Sequence, residues 1–124
     1  MEWIFRPDAP IYTQLYEQLT LAIVSGTFPP GGRLPAVREL AVDAGVNPNT
    51  VQRALSELER DGLVYSQRTT GRYVTDDAER IEQERRKLAE GRARDFLAAM
   101  QKLGYDRVQT VVLLEKMRGE RKEQ

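Results

Sequence analysis

The tightest constraint on this chain is a corner of about three residues, where Gly45 and Asn47 separate two amphipathic runs with almost no loop. The first run begins after Pro35, whose preset φ and missing N–H suit the first turn of a helix. Val37, Leu40, Ala41 and Ala44 follow at helical spacing and make one apolar face. Gly45 can stop that helix, because glycine takes the left-handed C′ position without steric cost. Asn47 then caps a second helix with Pro48 at its first position. Val51, Ala54, Leu55 and Leu58 form its buried face, and Asp61-Gly62 ends it. Ala41 and Gly45 sit at the corner, where a large side chain would push the helices apart. Two helices joined so closely through glycine are the mark of a DNA-binding helix-turn-helix.

The residues around this corner carry chemistry suited to that fold. The start of the second helix offers Asn47, Asn49, Thr50, Gln52 and Arg53. Asn and Gln can pair with adenine in a bidentate manner, and Arg with guanine, in the major groove. The first residues of a recognition helix are the ones that reach base edges. Two β-prone runs follow, 63–67 and 72–75, around the turn Arg68-Thr69-Thr70-Gly71. They read as a hairpin, with Arg68, Thr69, Thr70 and Arg72 placed for phosphate or minor-groove contact. Each piece alone has a plainer reading. A helix pair is most often just packing, the asparagines are caps, and the arginines are a solvated turn. The ordered combination points to a winged helix-turn-helix.

Composition limits the alternatives. The chain has 124 residues, enough for one domain with an appendage, and 31% of them are charged. With no cysteine and no histidine, there is no thiolate zinc site, disulfide, imidazole base or cysteine nucleophile. No cofactor or metal is expected. No apolar run approaches transmembrane length and no signal peptide opens the chain, so a cytoplasmic protein without a membrane partner is expected. Net charge argues against a simple DNA-binding surface, since basic and acidic residues balance at 19 each. Residues 1–75 hold 7 basic and 8 acidic side chains. The positive ones at Arg33, Arg38, Arg53, Arg68 and Arg72 lie near the proposed DNA face, while Glu57, Glu59 and Asp61 lie at the far end of the recognition helix. Such segregation permits binding with modest nonspecific affinity.

Before this core, Trp3, Ile4 and Phe5 form a short apolar lead expected to cover the core. Tyr12, Leu15, Tyr16, Leu19, Ala22 and Ile23 give a support helix over 11–25 a buried face, ended by Gly26. The following Phe28-Pro29-Pro30-Gly31-Gly32 reads as a loop. After Thr75, Asp76 and Asp77 can cap a long helix whose apolar marks are Ala78, Ile81, Leu88, Ala89, Ala93, Phe96, Leu97, Met100 and Leu103. Its run EQERRK at 82–87 reads as a solvated stretch between domains, and Gly91 weakens its middle. Gly104 ends it, and Asp106 caps another helix with Gln109 in the capping-box position. Val108, Val111, Val112, Leu114 and Met117 are the apolar residues of that helix. The β-branched run Thr110-Val111-Val112 leaves a strand open as the alternative. Arg118 to Gln124 reads as a charged, frayed tail.

The core stretch resembles the GntR family of bacterial transcription regulators. The likeness runs along PPGGRLPAVRELA, GVNPNTVQRAL and LERDGLVYSQRTTGRYV, with PIYTQLYEQLTLAIVSGTFPPG upstream, about residues 10–75 in all. NPNTV and the short tail are similar to the YtrA-type subfamily. The resemblance implies DNA contact for Arg38, Asn49, Thr50, Gln52 and Gly71, and Arg33 is placed to hold a phosphate. Two positions depart from the pattern. Ala36 stands where many members have a helix-capping serine, and RTTGRY replaces a shorter run ending in Gly-Thr-Phe.

These readings give a mainly α chain with a small β-hairpin. A winged helix-turn-helix DNA-binding domain occupies 1–75 and a two-helix dimerisation tail 76–124. Two tail helices cannot enclose a core alone. Either they fold back on the winged domain, or Leu88, Phe96, Leu97, Met100, Leu103, Val108, Val111 and Val112 pair with a second copy, the favoured reading. A homodimer with two wings needs an approximately palindromic site on double-stranded DNA. The resemblance adds a repressor, often acting on a transporter operon. Any small-molecule effector, of unknown identity, has room only among the tail helices or between them and the winged domain. A protein-binding winged helix is the main competitor, supported by the balanced charge but lacking aromatic or Met anchors. An enzyme is not expected, because Lys102 and Lys116 have no supporting pocket and Glu57 and Glu59 point apart on a helix.

Overall fold

The computed structural model describes residues 1–120. In chain order it has α1 (Ile11–Val24), α2 (Val37–Ala44), α3 (Pro48–Arg60), β1 (Val64–Gln67), β2 (Gly71–Val74), α4 (Ala78–Lys102) and α5 (Arg107–Lys116). A short 3₁₀ turn, Arg118–Glu120, follows. Packing divides the chain into two compact units, Met1–Arg85 and Arg86–Gln124.

The first unit closes around three helices and the hairpin. Leu15, Leu19 and Ile23 of α1 are buried with Leu40 of α2 and with Val51, Leu55 and Leu58 of α3. Leu34, Leu63, Val64 and Val74 add to this core. Each such side chain contributes about 1.5–3 kcal/mol by leaving water. The apolar spacings of α1, α2 and α3 therefore mark the core face. Gly45 takes φ +70° at the end of α2, and the Val46 N–H donates to the Ala41 carbonyl at 3.0 Å. This closes the helix and turns the chain within three residues into Asn47, whose Oδ1 accepts the Asn49 N–H at 2.7 Å. At Ala36 only half a capping box exists: the Glu39 carboxylate accepts the Ala36 N–H at 2.9 Å, and alanine has no oxygen to return a bond.

The hairpin is antiparallel, with Val64 opposite Val74 and Gln67 opposite Gly71. Gly71 thus opens β2, at φ +119°, and does not sit in the turn where the sequence reading put it. A second departure lies on the other edge of β2. The Leu34 N–H donates to the Arg72 carbonyl, the Gly31 N–H to the Val74 carbonyl and the Val74 N–H to the Gly32 carbonyl, each at 2.9 Å. Residues 31–34, expected only as a loop running into α2, pair with the wing. The lead at 3–5 covers the molecule only in part. The rings of Trp3 and Phe5 stack at 6.3 Å and the Trp3 indole donates to Asp43 at 2.8 Å, but Ile4 is 73% exposed. Its backbone is held by Gln18, which accepts the Ile4 N–H and donates to its carbonyl, and buried Gln14 does the same for Arg6.

The start of α4 belongs to this unit. Asp77 Oδ1 accepts the Glu79 and Arg80 N–H groups as the cap. Ile81 and Glu84 are buried, so the run at 82–87 is not simply solvated. Arg80 pairs with Glu84 at 3.0 Å and also donates twice to the Asp61 carbonyl, at 2.9 and 3.1 Å. Arg85 donates twice to the Val24 carbonyl, at 2.9 and 3.3 Å. Both acceptors end helices, α3 and α1, where carbonyls lack intrahelical partners and the helix dipole is negative.

In the second unit, α5 begins at a full capping box. Asp106 accepts the Gln109 N–H at 2.8 Å and Gln109 accepts the Asp106 N–H at 2.9 Å. The β-branched run at 110–112 is helical, and the Thr110 hydroxyl donates to the Asp106 carbonyl at 2.8 Å. Leu88, Leu97 and Met100 are half-buried, whereas Phe96, Leu103, Val108, Val111 and Val112 are exposed. Of the tail read as frayed, Arg118–Glu120 forms the 3₁₀ turn, and residues 121–124 lie outside the described residues.

Candidate nucleic-acid interface

Three elements supply the site: the first turns of α3, the N-terminal part of α2 and the wing. On α3, Asn49, Gln52 and Ser56 are exposed on one side, and Thr50 is half-buried. Steps of three and four place Asn49, Gln52 and Ser56 in one row along the helix. The Gln52 amide lies 3.5 Å from the Ser56 hydroxyl, a contact too long to hold it strongly. Asn47 is exposed at the start of the row, but its side-chain oxygen is occupied as the helix cap. This row has the donor and acceptor groups needed to read base edges.

The cations around the row fall into two kinds. Arg33, Arg38, Arg53 and Arg68 are exposed and form no ion pair among the described residues. Arg72 differs: its side chain is only 20% exposed, and its Nε lies 3.5 Å from a Glu59 carboxylate oxygen. The Ser66 hydroxyl donates to the same oxygen at 3.1 Å. Glu59 therefore ties the wing to the recognition helix and partly neutralises Arg72. Sequence reading placed Glu59 merely at the far end of α3, because a cross-element partner leaves no local pattern.

Arg33 lies against the wing. A Cβ built on Gly71 would meet the Arg33 Nε at 3.0 Å, so glycine there leaves room for the guanidinium to cross β2. The wing loop, with Arg68, Thr69 and Thr70, is exposed throughout. Arg53 extends to the α1 side of α3, where its Cζ lies 3.6 Å from the centroid of the Tyr12 ring. Tyr12 was expected only as core, since spacing cannot distinguish a buried ring from one presenting a face to an arginine.

Behind the interface, Tyr16 of α1 donates its hydroxyl to Asp61 at the end of α3. Burial raises the Tyr16 phenol above its ordinary 10.0, and the Asp61 carboxylate pushes it further the same way. This bond joins α1 to the end of α3 and involves none of the exposed row Asn49, Gln52 and Ser56. Among the described residues no cluster of carboxylates is arranged to hold a metal, and no helix is long and apolar enough to cross a membrane.

Comparison with known proteins places this geometry. The family model for bacterial regulatory proteins of the gntR family matches residues 11–74, the span from α1 through β2. The HTH-type transcriptional repressor YtrA of Bacillus subtilis (strain 168) is 36% identical over 112 residues, covering 90% of this chain and 82% of that protein. A solved GntR family transcriptional regulator from Listeria monocytogenes has a TM-score of 0.82 at 39% identity, covering 90% of this chain and 98% of the other. The crystal structure of AraR(DBD) in complex with operator ORX1 has a TM-score of 0.56 at 29% identity, over 60% of this chain and 96% of the other.

Proposed function

The chain belongs to the gntR family of bacterial regulatory proteins, and from that membership we propose that it is a repressor that binds operator DNA as a homodimer. The carrying observation is the exposed row Asn49, Gln52 and Ser56 on α3, in a unit where Arg33, Arg38, Arg53 and Arg68 are exposed and make no ion pair among the described residues. In this reading α3 lies in the major groove with Asn49 and Gln52 on base edges. Arg33 and Arg38 hold phosphates, and the loop 68–70 follows the backbone into the adjacent groove. Thr50, Asn47, Gly71 and Arg72 support the approach, Arg72 with its charge partly balanced by Glu59. The balanced total charge is compatible with this, because the acidic partners Glu57 and Glu59 are themselves paired with Arg60 and Arg72. The relatives are transcriptional regulators, and no catalytic role is proposed.

The second copy is assigned to the tail. Phe96, Leu103, Val108, Val111 and Val112 are exposed apolar residues on α4 and α5, joined by half-buried Leu88, Leu97 and Met100. Two copies paired through them would present two wings to an approximately palindromic site.

The test is a fluorescence-anisotropy titration against DNA from upstream of the chain's own coding sequence, with a scrambled duplex alongside, at several salt concentrations. Tighter binding to the native fragment and a steep salt slope are expected. Gln52→Ala and Asn49→Ala should reduce the preference for the native fragment by roughly tenfold each, the value of a good base contact. Arg33→Ala should weaken both duplexes alike. Absence of binding to either duplex at low salt would point to a protein-binding module instead.

A further inference from the structure

We propose that Tyr12 is a positioning residue of the DNA interface, stacked on Arg53 so that this guanidinium grips a backbone phosphate at the edge of the groove instead of reading a base. The inference rests on the regulator reading above and adds a residue from α1 to its machinery. Three observations carry it.

The first is the stack itself. The Arg53 Cζ stands 3.6 Å above the centroid of the Tyr12 ring, well inside the range of a favourable cation–π contact. A flexible side chain is thereby held in one place by its face. The donors of a guanidinium lie in its plane, so a ring beneath it leaves them open to a planar pair of anionic oxygens.

The second is charge. An arginine beside a carboxylate is partly neutralised, as Arg72 is by Glu59 at 3.5 Å and Arg60 by Glu57 at 2.8 Å. The aromatic partner restrains Arg53 without neutralising it. Arg53 makes no ion pair among the described residues, and its side chain is exposed. This is the arrangement that a phosphate contact needs.

The third is direction. Asn49, Gln52 and Ser56 share one row of α3, and Arg53, four residues from Asn49 and three from Ser56, leaves the helix at the edge of that row, about 100° round from Gln52. The contact to Tyr12 shows that its guanidinium is drawn from this edge toward α1 and away from the row. A helix seated in a groove directs its central row at the bases and its flanks at the phosphates on either side. The sequence alone grouped Arg53 with the base readers; the stack moves it to the flank.

The experiment uses the full chain and a duplex selected by the wild-type protein from a randomised library, with a scrambled duplex as control. Arg53→Ala should weaken both duplexes by about tenfold, leave their ratio unchanged and reduce the log–log salt slope by about one. Tyr12→Leu should weaken both duplexes by about threefold, reflecting a modest cation–π contact. In the Arg53→Ala background Tyr12→Leu should cost nothing more, and Tyr12→Phe should bind like wild type because the ring is kept. A change in the ratio of the two affinities with Arg53→Ala would make Arg53 a base reader and overturn the assignment. So would an undiminished affinity in Tyr12→Leu, or a Tyr12→Leu loss that persists in full without Arg53. If Tyr12→Leu fails to fold, Tyr12→Phe and Arg53→Lys decide: Phe should retain binding and Lys, which lacks the planar fork, should lose it on both duplexes. Failure of the wild type to select any duplex would instead overturn the regulator reading, and this inference with it.

Discussion

Tyr16 shows how one side chain can couple the fold to pH. Its phenol is lifted above 10.0 first by burial and then by the Asp61 carboxylate that accepts its proton. The folded state therefore holds this proton more tightly than the unfolded chain. The stabilisation is complete below pH 10 and is lost as pH rises through the ordinary tyrosine range toward the folded value. Thermal unfolding followed across pH 8–11, about this range, should show the melting temperature falling at the alkaline end. Tyr16→Phe should be less stable at neutral pH by about 1–3 kcal/mol, because Asp61 loses its donor, and should show a shallower alkaline fall. Equal alkaline slopes would mean that Tyr16 does not carry the effect. Gly71 works at the same scale by a different route: the space it leaves is what the Arg33 side chain crosses.

Among the elements, α2 has the one incomplete cap in the helix-turn-helix. Ala36 holds an extended N-cap conformation, φ −68° and ψ 160°, and Glu39 already accepts its N–H. Ala36→Ser should supply the missing oxygen and raise stability by about 1 kcal/mol in urea unfolding, with no change of fold. No gain would show that the Glu39 half alone satisfies this helix end. The contrast with α3 and α5 is informative, since Asn47 and Asp106 both make their caps as their residue types predict. The β-branched run in α5 is helical for the same reason. Two reciprocal cap bonds and the Thr110 hydroxyl on the Asp106 carbonyl hold the first turn against a modest propensity penalty.

For the whole molecule, the exposed apolar residues of α4 and α5 set the prediction. A chain that functions through two wings should sediment as a dimer, and Leu103→Asp with Val108→Asp should shift it to monomer. The paired site should then bind at least tenfold more weakly while a single half-site is unaffected, since only the linkage of two contacts is lost. A variant that remains dimeric would place the second copy elsewhere. Much of the molecule is readable without coordinates. Helix positions, the Gly45 corner, the caps at Asn47 and Asp106 and the buried rows of α1 and α3 follow from spacing and backbone chemistry that act within a few residues. The exposed face of α3 that carries Asn49 and Gln52 is legible for the same reason, because three steps along a helix define a face. Contacts between distant parts of the chain leave no such trace. Only the tertiary structure pairs residues 31–34 with β2, sets Arg85 on the Val24 carbonyl 61 residues away and buries Glu84 within a charged run. It alone decides which arginine keeps its charge, Arg53 on a ring, and which is partly neutralised, Arg72 beside a carboxylate, because the partner that settles this is chosen by packing and not by neighbours in sequence.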